Sequence, residues 1–148
     1  MFKNIKQLTS LNEQRKFINK QLRHLYKPLL IEESFIQDIW DICNEEYSYV
    51  QPTVKKQIFL TVVLLYYSPQ KLAGGKISKS VMRTICNVTQ SRQSLISHNS
   101  ENLIFLYDSY RNYREMVDRV NSLVMDRLEE NKLISREKLL EYLAKYLV

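Results

Sequence analysis

The residues best suited to binding chemistry lie between positions 92 and 98, where hydrogen-bonding side chains dominate the sequence. The run combines a guanidinium, an amide, two hydroxyls and an imidazole, in Arg92, Gln93, Ser94, Ser97 and His98. Ser97 and His98 are adjacent, so on a helix their side chains point in different directions and cannot act together as a catalytic pair. The run therefore indicates recognition by hydrogen bonds rather than catalysis.

Other features of the sequence argue against catalysis and against bound metals or cofactors. The chain has two histidines and two cysteines, and no Cys-x-x-Cys pair of the kind that binds zinc. We interpret Cys43 and Cys86 as buried free thiols, because both fall on apolar faces far apart in sequence. The Gly74-Gly75-Lys76 sequence lacks the spacing of a phosphate-binding loop. We expect no enzymatic activity, no metal site and no cofactor.

Cationic side chains are concentrated just before the hydrogen-bonding run. They are Lys71, Lys76, Lys79 and Arg83. The whole chain has a formal net charge of +6, which suits a polyanionic partner. A basic loop that is simply solvated is the alternative explanation for any one of these cations.

Two helices joined by a short polar turn are predicted around these residues. Their apolar stripes are Val81, Ile85 and Val88 in the first helix, then Ile96, Asn99, Leu103 and Tyr107 in the second. Thr89 and Ser91 are both suitable N-caps for the second helix, because a short hydroxyl can accept from amides of the first turn. We expect that helix to run from Arg92 to about Tyr107.

The segment from Ser78 to Tyr107 resembles a helix-turn-helix DNA-binding unit. In that motif the second helix places its N-terminal residues against base edges in the major groove, and the first helix crosses the backbone. The resemblance implies that double-stranded DNA is the partner. It implies base contacts from Arg92, Gln93, Ser94, Ser97 and His98, and backbone contacts from Lys71, Lys76, Lys79 and Arg83.

The register of the motif is open to more than one interpretation. In the preferred register Ile85 and Ile96 are buried, and Gln90 stands where the motif usually has glycine. A shift by one residue would bury Val88 and Leu95 instead, and a turn one residue longer than standard would reconcile the two registers. An ordinary helical hairpin with a solvated polar face is the alternative to the motif.

The rest of the chain predicts an all-α fold of six or seven helices, because Gly and Pro number only 2 and 3. We expect a single domain over residues 1–148. Its parts are an N-terminal helical pair (10–47), a helix-turn-helix core (52–107) and a C-terminal helical extension (108–148) that contains a long helix. The segment from Val54 to Tyr67 is apolar almost all round and predicts a buried scaffold helix.

The first predicted helix has one apolar and one basic side. A capping box at Ser10–Glu13 predicts its start. Its apolar positions are Leu11, Phe17, Ile18, Leu22 and Leu25, and its basic positions are Arg15, Lys16, Lys20, Arg23 and Lys27. The basic side suits contact with phosphates or another anionic partner. The alternative is that it simply faces solvent.

Apolar residues at alternating three- and four-residue spacing continue from Leu103 to Leu128, apart from one seven-residue gap that Arg114 fills. Ser135 predicts the cap of a last helix that reaches Leu147. An intramolecular contact is the preferred explanation, and a homodimer through the C-terminal helices is left open.

The longest apolar run, Ile58 to Tyr67, is too short to span a bilayer, and no signal peptide is recognisable. We expect a cytoplasmic protein without membrane contact.

The span from Lys56 to Arg114 is also similar to small proteins of phages and mobile elements in gut bacteria. Together with the helix-turn-helix resemblance, this predicts a DNA-binding transcription regulator of a phage or mobile element. One alternative is a small subunit of a phage DNA-packaging machine. The other is a helical protein-interaction module without a DNA role.

Overall fold

All regular structure in the described residues is α-helical, which confirms the predicted class. The computed structural model describes residues 3–25 and 27–145. Its helices are α1 (Lys3–Leu25), α2 (Phe35–Glu46), α3 (Pro52–Tyr67), α4 (Pro69–Leu72), α5 (Lys79–Thr89), α6 (Gln93–Asn99), α7 (Leu103–Ser109), α8 (Arg111–Glu130) and α9 (Arg136–Ala144). The described residues thus form nine helices, where six or seven were predicted. The difference has two sources. The short helix α4 was not predicted, and the stretch predicted as the second helix of the pair with its continuation is broken twice, between α6 and α7 and between α7 and α8.

Helix α3 lies at the centre of the core, as its all-round apolar sequence predicts. Pro52 is its first residue, where the missing amide hydrogen costs nothing. Every side chain from Ile58 to Leu64 is buried. Helices α2, α4, α6, α7 and α8 all pack against α3. A helix covered on this many sides fixes the relative positions of its neighbours.

Backbone and side-chain hydrogen bonds connect the outer elements to the end of α3. The amides of Leu29 and Leu30 both donate to the Tyr66 carbonyl, at 3.1 Å each. The Tyr142 hydroxyl in α9 donates to the Leu65 carbonyl at 2.7 Å. These bonds satisfy carbonyls near the C-terminal end of α3, which have no partner within the helix.

Helix α1 departs from the sequence-based expectation in two ways. It already includes Lys3, so the capping box predicted at Ser10–Glu13 is wrong and Ser10 lies inside the helix. Every described side chain from Lys3 to Arg23 is exposed. From Lys3 to Arg23, the apolar side of α1 therefore contributes nothing to the core.

The C-terminal helices bury their apolar stripes inside the same chain. Val117, Val120, Val124 and Leu128 of α8 are buried, and α8 packs against α2, α3 and α7. In α9 the Ser135 hydroxyl accepts from the Lys138 amide at 3.4 Å, which confirms the predicted cap. Contacts within the chain thus bury the stripe, as the preferred explanation predicted. The predicted end of the last helix at Leu147 lies outside the described residues.

A buried hydrogen bond between α3 and α8 generates a test of this packing. The Thr61 and Tyr113 hydroxyls lie 2.7 Å apart, and burial raises the pKa of Tyr113 to about 12. We expect Tyr113→Phe to lower the free energy of unfolding at neutral pH by about 1 kcal/mol, because a buried hydrogen bond is lost. Urea unfolding measures the change. Tyr49→Phe, at an exposed ring, is the control and should leave stability unchanged.

The pH dependence of the same variant has a defined sign. Tyrosine ionises near pH 10 in the unfolded chain, whereas folded Tyr113 holds its proton up to about pH 12. Its contribution to stability is therefore complete below pH 10 and is lost as the pH rises through that interval. We expect the stability difference between the parent and Tyr113→Phe to shrink from pH 10 to pH 12. A difference that stays constant would contradict the assigned burial.

Candidate nucleic-acid interface

Helices α5 and α6 are joined by a three-residue turn whose first residue is left-handed. Gln90 has φ 51° and ψ 44°, and the amides of Gln90 and Ser91 both donate to the Cys86 carbonyl. This arrangement satisfies a carbonyl at the end of α5 and reverses the chain, which is the role usually taken by glycine. Gln90 therefore stands at the position where the sequence comparison with the motif expected glycine.

The predicted caps of the second helix are wrong. Thr89 is the last residue of α5, and its hydroxyl donates to the Ile85 carbonyl at 2.8 Å. The Ser91 hydroxyl donates back to the Thr89 carbonyl at 3.2 Å. Arg92 occupies the N-cap position of α6, and its side chain makes no capping hydrogen bond. Both hydroxyls thus bond backward to carbonyls of α5, and neither caps α6.

Helix α6 is shorter than predicted. It ends at Asn99 rather than near Tyr107, and α7 begins at Leu103 after a turn in which Asn102 is left-handed with φ 60°. The predicted stripe nevertheless continues across this break, because Ile96, Asn99 and Leu103 are all buried. The continuation of the stripe hid the interruption, since periodicity alone does not reveal a change of helix direction.

Burial in α5 and α6 selects the preferred register. Ile85 and Ile96 have no exposed surface, whereas Leu95 is 41% exposed. Val88 is half-buried. The first helix of the pair packs against α2 and α6, and α6 packs against α3 as well. The shifted register, which buries Leu95, is therefore not the one the chain adopts.

The loop before α5 is held in one shape by its own backbone. The Gly75 amide donates to the Gln70 carbonyl at 2.8 Å, the Gly74 amide donates to the Lys71 carbonyl at 3.1 Å, and the Gln70 side-chain amide donates to the Lys76 carbonyl at 3.2 Å. The amides of both glycines are thus hydrogen-bonded within this loop. A Cβ at Gly75 would lie 2.8 Å from the Gln70 carbonyl oxygen, so this position requires glycine.

The loop, α5 and α6 together enclose an open groove of about 660 Å³, which we call the basic groove. Its lining includes all four predicted backbone-contact residues and two of the predicted base-contact residues, namely Lys71, Lys76, Lys79, Arg83, Gln93 and Ser97. No acidic side chain lines it within the part of the chain that the structure describes. The groove therefore concentrates positive charge beside hydrogen-bonding side chains.

The cations of the basic groove lack carboxylate partners. Among residues 3–25 and 27–145, the ion pairs within 4 Å involve Arg111, Arg119 and Arg136. None involves a lysine or arginine of the groove. Glu33, in the segment before α2, accepts a hydrogen bond from the Thr84 hydroxyl of α5 at 2.8 Å. Unpaired cations leave the positive potential of the groove uncompensated.

The remaining predicted base-contact residues lie outside the groove lining. Arg92, Ser94 and His98 are exposed on or beside α6. The structure thus brings six of the nine predicted residues into one cavity and leaves three on the adjoining surface. It also adds Asn87, which is exposed and lines the groove. The i, i+4 spacing of Lys79, Arg83 and Asn87 could have identified this residue, because such positions share one helix face.

Neither a metal site nor a membrane-spanning helix is found in the described residues. No group of three or more histidine, cysteine, aspartate or glutamate side chains there is arranged to hold a metal ion. None of the helices there is both long and apolar enough to cross a bilayer. Cys43 is a buried free thiol, and burial raises its pKa to about 12. Cys86 is also free, and it is half-buried where full burial was expected.

Comparison with known proteins yields no relative from which a function could be transferred. The sequence matches no protein-family model, no curated protein and no solved structure. Functional inference therefore depends on the geometry of the groove and of the helix pair.

Two adjacent residues of α6 test the register. We expect Ile96→Ala to lower the free energy of unfolding by about 2–5 kcal/mol, because it creates a cavity at a fully buried position. Leu95→Ala is the matched control and should change stability by less than about 1 kcal/mol, since much of Leu95 is already exposed. Chemical unfolding measures both. Equal losses in the two variants would contradict the observed register.

Proposed function

We propose that this protein binds double-stranded DNA through the α5–α6 pair and the basic groove, as a helix-turn-helix transcription regulator of a phage or mobile element. One observation carries the proposal. Four unpaired cations, Lys71, Lys76, Lys79 and Arg83, line the same groove as Gln93 and Ser97. Cations that contact phosphates and amides or hydroxyls that contact bases are the two components of a specific DNA interface.

The positions of the cations suit phosphate contacts. Lys79 and Arg83 lie one helical turn apart on α5, Lys71 lies in α4, and Lys76 lies in the loop closed by Gln70. Phosphate contacts made by a fixed loop and a fixed helix cost little ordering entropy on binding. They would also make affinity fall with salt concentration, because each neutralised phosphate releases counterions.

The turn between α5 and α6 supports the same proposal. Three residues connect the helices, and the first of them, Gln90, is left-handed. The helix after the turn exposes Gln93, Ser94, Ser97 and His98, while Ile96 anchors it to the core. This division of α6 into an anchored side and a polar exposed side is what a recognition helix requires.

A second function, protein interaction without DNA, is favoured by a different surface. Ile104, Phe105 and Tyr110 are exposed, and the rings of Phe105 and Tyr110 lie edge to face with centroids 6.4 Å apart. Exposed apolar groups of this kind suit a protein partner. A role as a small subunit of a DNA-packaging machine shares the DNA-binding element and differs in its biological setting.

Backbone contacts are tested by removing one groove cation. We expect Lys76→Ala to weaken binding to all duplex sequences alike and to reduce the slope of log affinity against log salt by about 1. Binding to random-sequence duplex DNA at several salt concentrations measures both effects. Lys138→Ala removes an exposed lysine of α9 outside the groove and serves as the control. An equal loss in the two variants, or no DNA binding at low salt, would contradict the proposal.

Base recognition is tested separately at Arg92. After selection of a preferred duplex from a random pool, we expect Arg92→Ala to lose about 1–3 kcal/mol of discrimination between preferred and random DNA. Affinity for random DNA should change less, since that binding depends on phosphate contacts. Fluorescence anisotropy with both duplexes measures the two quantities in parallel. If Arg92→Ala weakens both duplexes equally, α6 is not the element that reads the sequence.

A further inference from the structure

Helix α1 presents an apolar surface that the described part of the chain leaves largely exposed. Leu8, Leu11, Ile18 and Leu22 are all among the exposed large hydrophobic residues. Each of them lies on a 23-residue helix whose described side chains are exposed throughout. Helices in proteins derive most of their stability from packing of an apolar face. An uncovered helix of this length therefore points to a partner outside the chain.

The spacing of the apolar residues identifies the geometry of that partner. Positions 8, 11, 15, 18 and 22 alternate steps of three and four residues, which is the seam of a two-helix coiled coil. Four of the five are leucine or isoleucine, and Arg15 is the exception. A seam of this kind accepts another helix with the same repeat, because each side chain inserts between four residues of the facing helix.

The residues that flank the seam are uncharged on both sides. One flank consists of Gln7, Gln14 and Gln21, and the other of Ile5, Asn12 and Asn19. The cations occupy the outward positions of the helix, at Lys3, Lys6, Lys16, Lys20 and Arg23. Flanking charges normally select the partner of a coiled coil. Uncharged flanks allow two identical helices to approach although each helix is strongly basic.

We propose that α1 pairs with α1 of a second copy of this chain as an antiparallel two-helix coiled coil. The four seam positions 11, 15, 18 and 22 are symmetric about a point between residues 16 and 17. Antiparallel pairing therefore places Leu11 opposite Leu22 of the partner subunit, and Arg15 opposite Ile18 of the partner subunit. Parallel pairing would instead place the two Arg15 side chains opposite each other. The antiparallel arrangement removes this repulsion and lets the Arg15 stem cover an apolar neighbour.

A membrane surface is a poorer occupant of the same face. Helices that lie on membranes have a wide apolar face bordered by lysine and arginine, which contact anionic lipid. In α1 the seam is narrow and is bordered by amides, and most of the cations point away from it. The charge pattern thus fits a second α1 better than it fits a lipid surface.

The position of α1 gives the pairing a structural consequence. Leu22 and Arg23 line a second cleft of about 500 Å³ together with Gln70, Ala73 and Gly75 of the loop that borders the basic groove. Pairing through α1 would therefore join two basic grooves through their neighbouring loops. The proposed self-association does not depend on DNA binding, and it is tested without DNA.

The seam is tested by two neighbouring substitutions. Ile18 lies on the seam, and Phe17 lies off it with a similar exposure, 55% against 64%. We expect sedimentation equilibrium to show dimers of the parent protein at protein concentrations up to about 200 µM. Ile18→Lys should raise the dimer dissociation constant at least about tenfold, whereas Phe17→Lys should leave it nearly unchanged. A monomeric parent protein, or equal effects of the two variants, would overturn the proposal.

The direction of pairing is tested by the sign of the charge at position 18. In an antiparallel pair, Ile18→Glu faces Arg15 of the partner subunit, so its dimer should be at least about tenfold tighter than that of Ile18→Lys. In a parallel pair, both substitutions would place like charges opposite each other and would weaken the dimer equally. Equal weakening would overturn the antiparallel arrangement.

The membrane alternative is tested in the same samples. Vesicles of phosphatidylcholine with anionic phosphatidylserine are added to the parent protein and to both lysine variants. We expect the parent dimer to stay in solution when the vesicles are sedimented. A protein that is monomeric in solution and sediments with anionic vesicles would overturn the proposal in favour of a lipid surface.

Discussion

The burial of α3 is the constraint on which the rest of the structure depends. Its side chains from Ile58 to Leu64 point in every direction around the helix, and all of them are buried. Removing that surface from water requires neighbours on all sides, which α2, α4, α6, α7 and α8 provide. Because α6 is one of these neighbours, the core itself fixes the orientation of the helix proposed to contact DNA.

Electrostatics divides the surface of the protein into compensated and uncompensated parts. Acids of α2 and α8 pair with arginines, as in the 3.1 Å contact between Glu46 and Arg119. The loop of Gln70 and the exposed face of α5 carry lysines and an arginine without such pairs among the described residues. Exposed ion pairs contribute little to stability, so this division says more about where a polyanion is attracted than about what holds the fold together.

Local sequence patterns predicted the features that local chemistry determines. The Ser135 cap and the burial of Ile85 and Ile96 both follow from residue type and spacing. The left-handed Gln90 stands where the motif comparison placed glycine, whereas no local pattern marked the left-handed Asn102 that interrupts the predicted second helix. Periodicity likewise could not show that α1 is exposed, because an apolar stripe looks the same whether its partner belongs to the same chain or to another.

The small number of anchors in α6 has a consequence for its dynamics. This helix has seven residues, of which Ile96 and Asn99 are buried, whereas α3 has nine buried residues among sixteen. Its amide hydrogens should therefore exchange with solvent by local opening, at a free energy well below that of global unfolding. The turns at Gln90 and Asn102 bound this opening unit on both sides. Local opening of α6 would therefore proceed while α3 and its other neighbours stay packed.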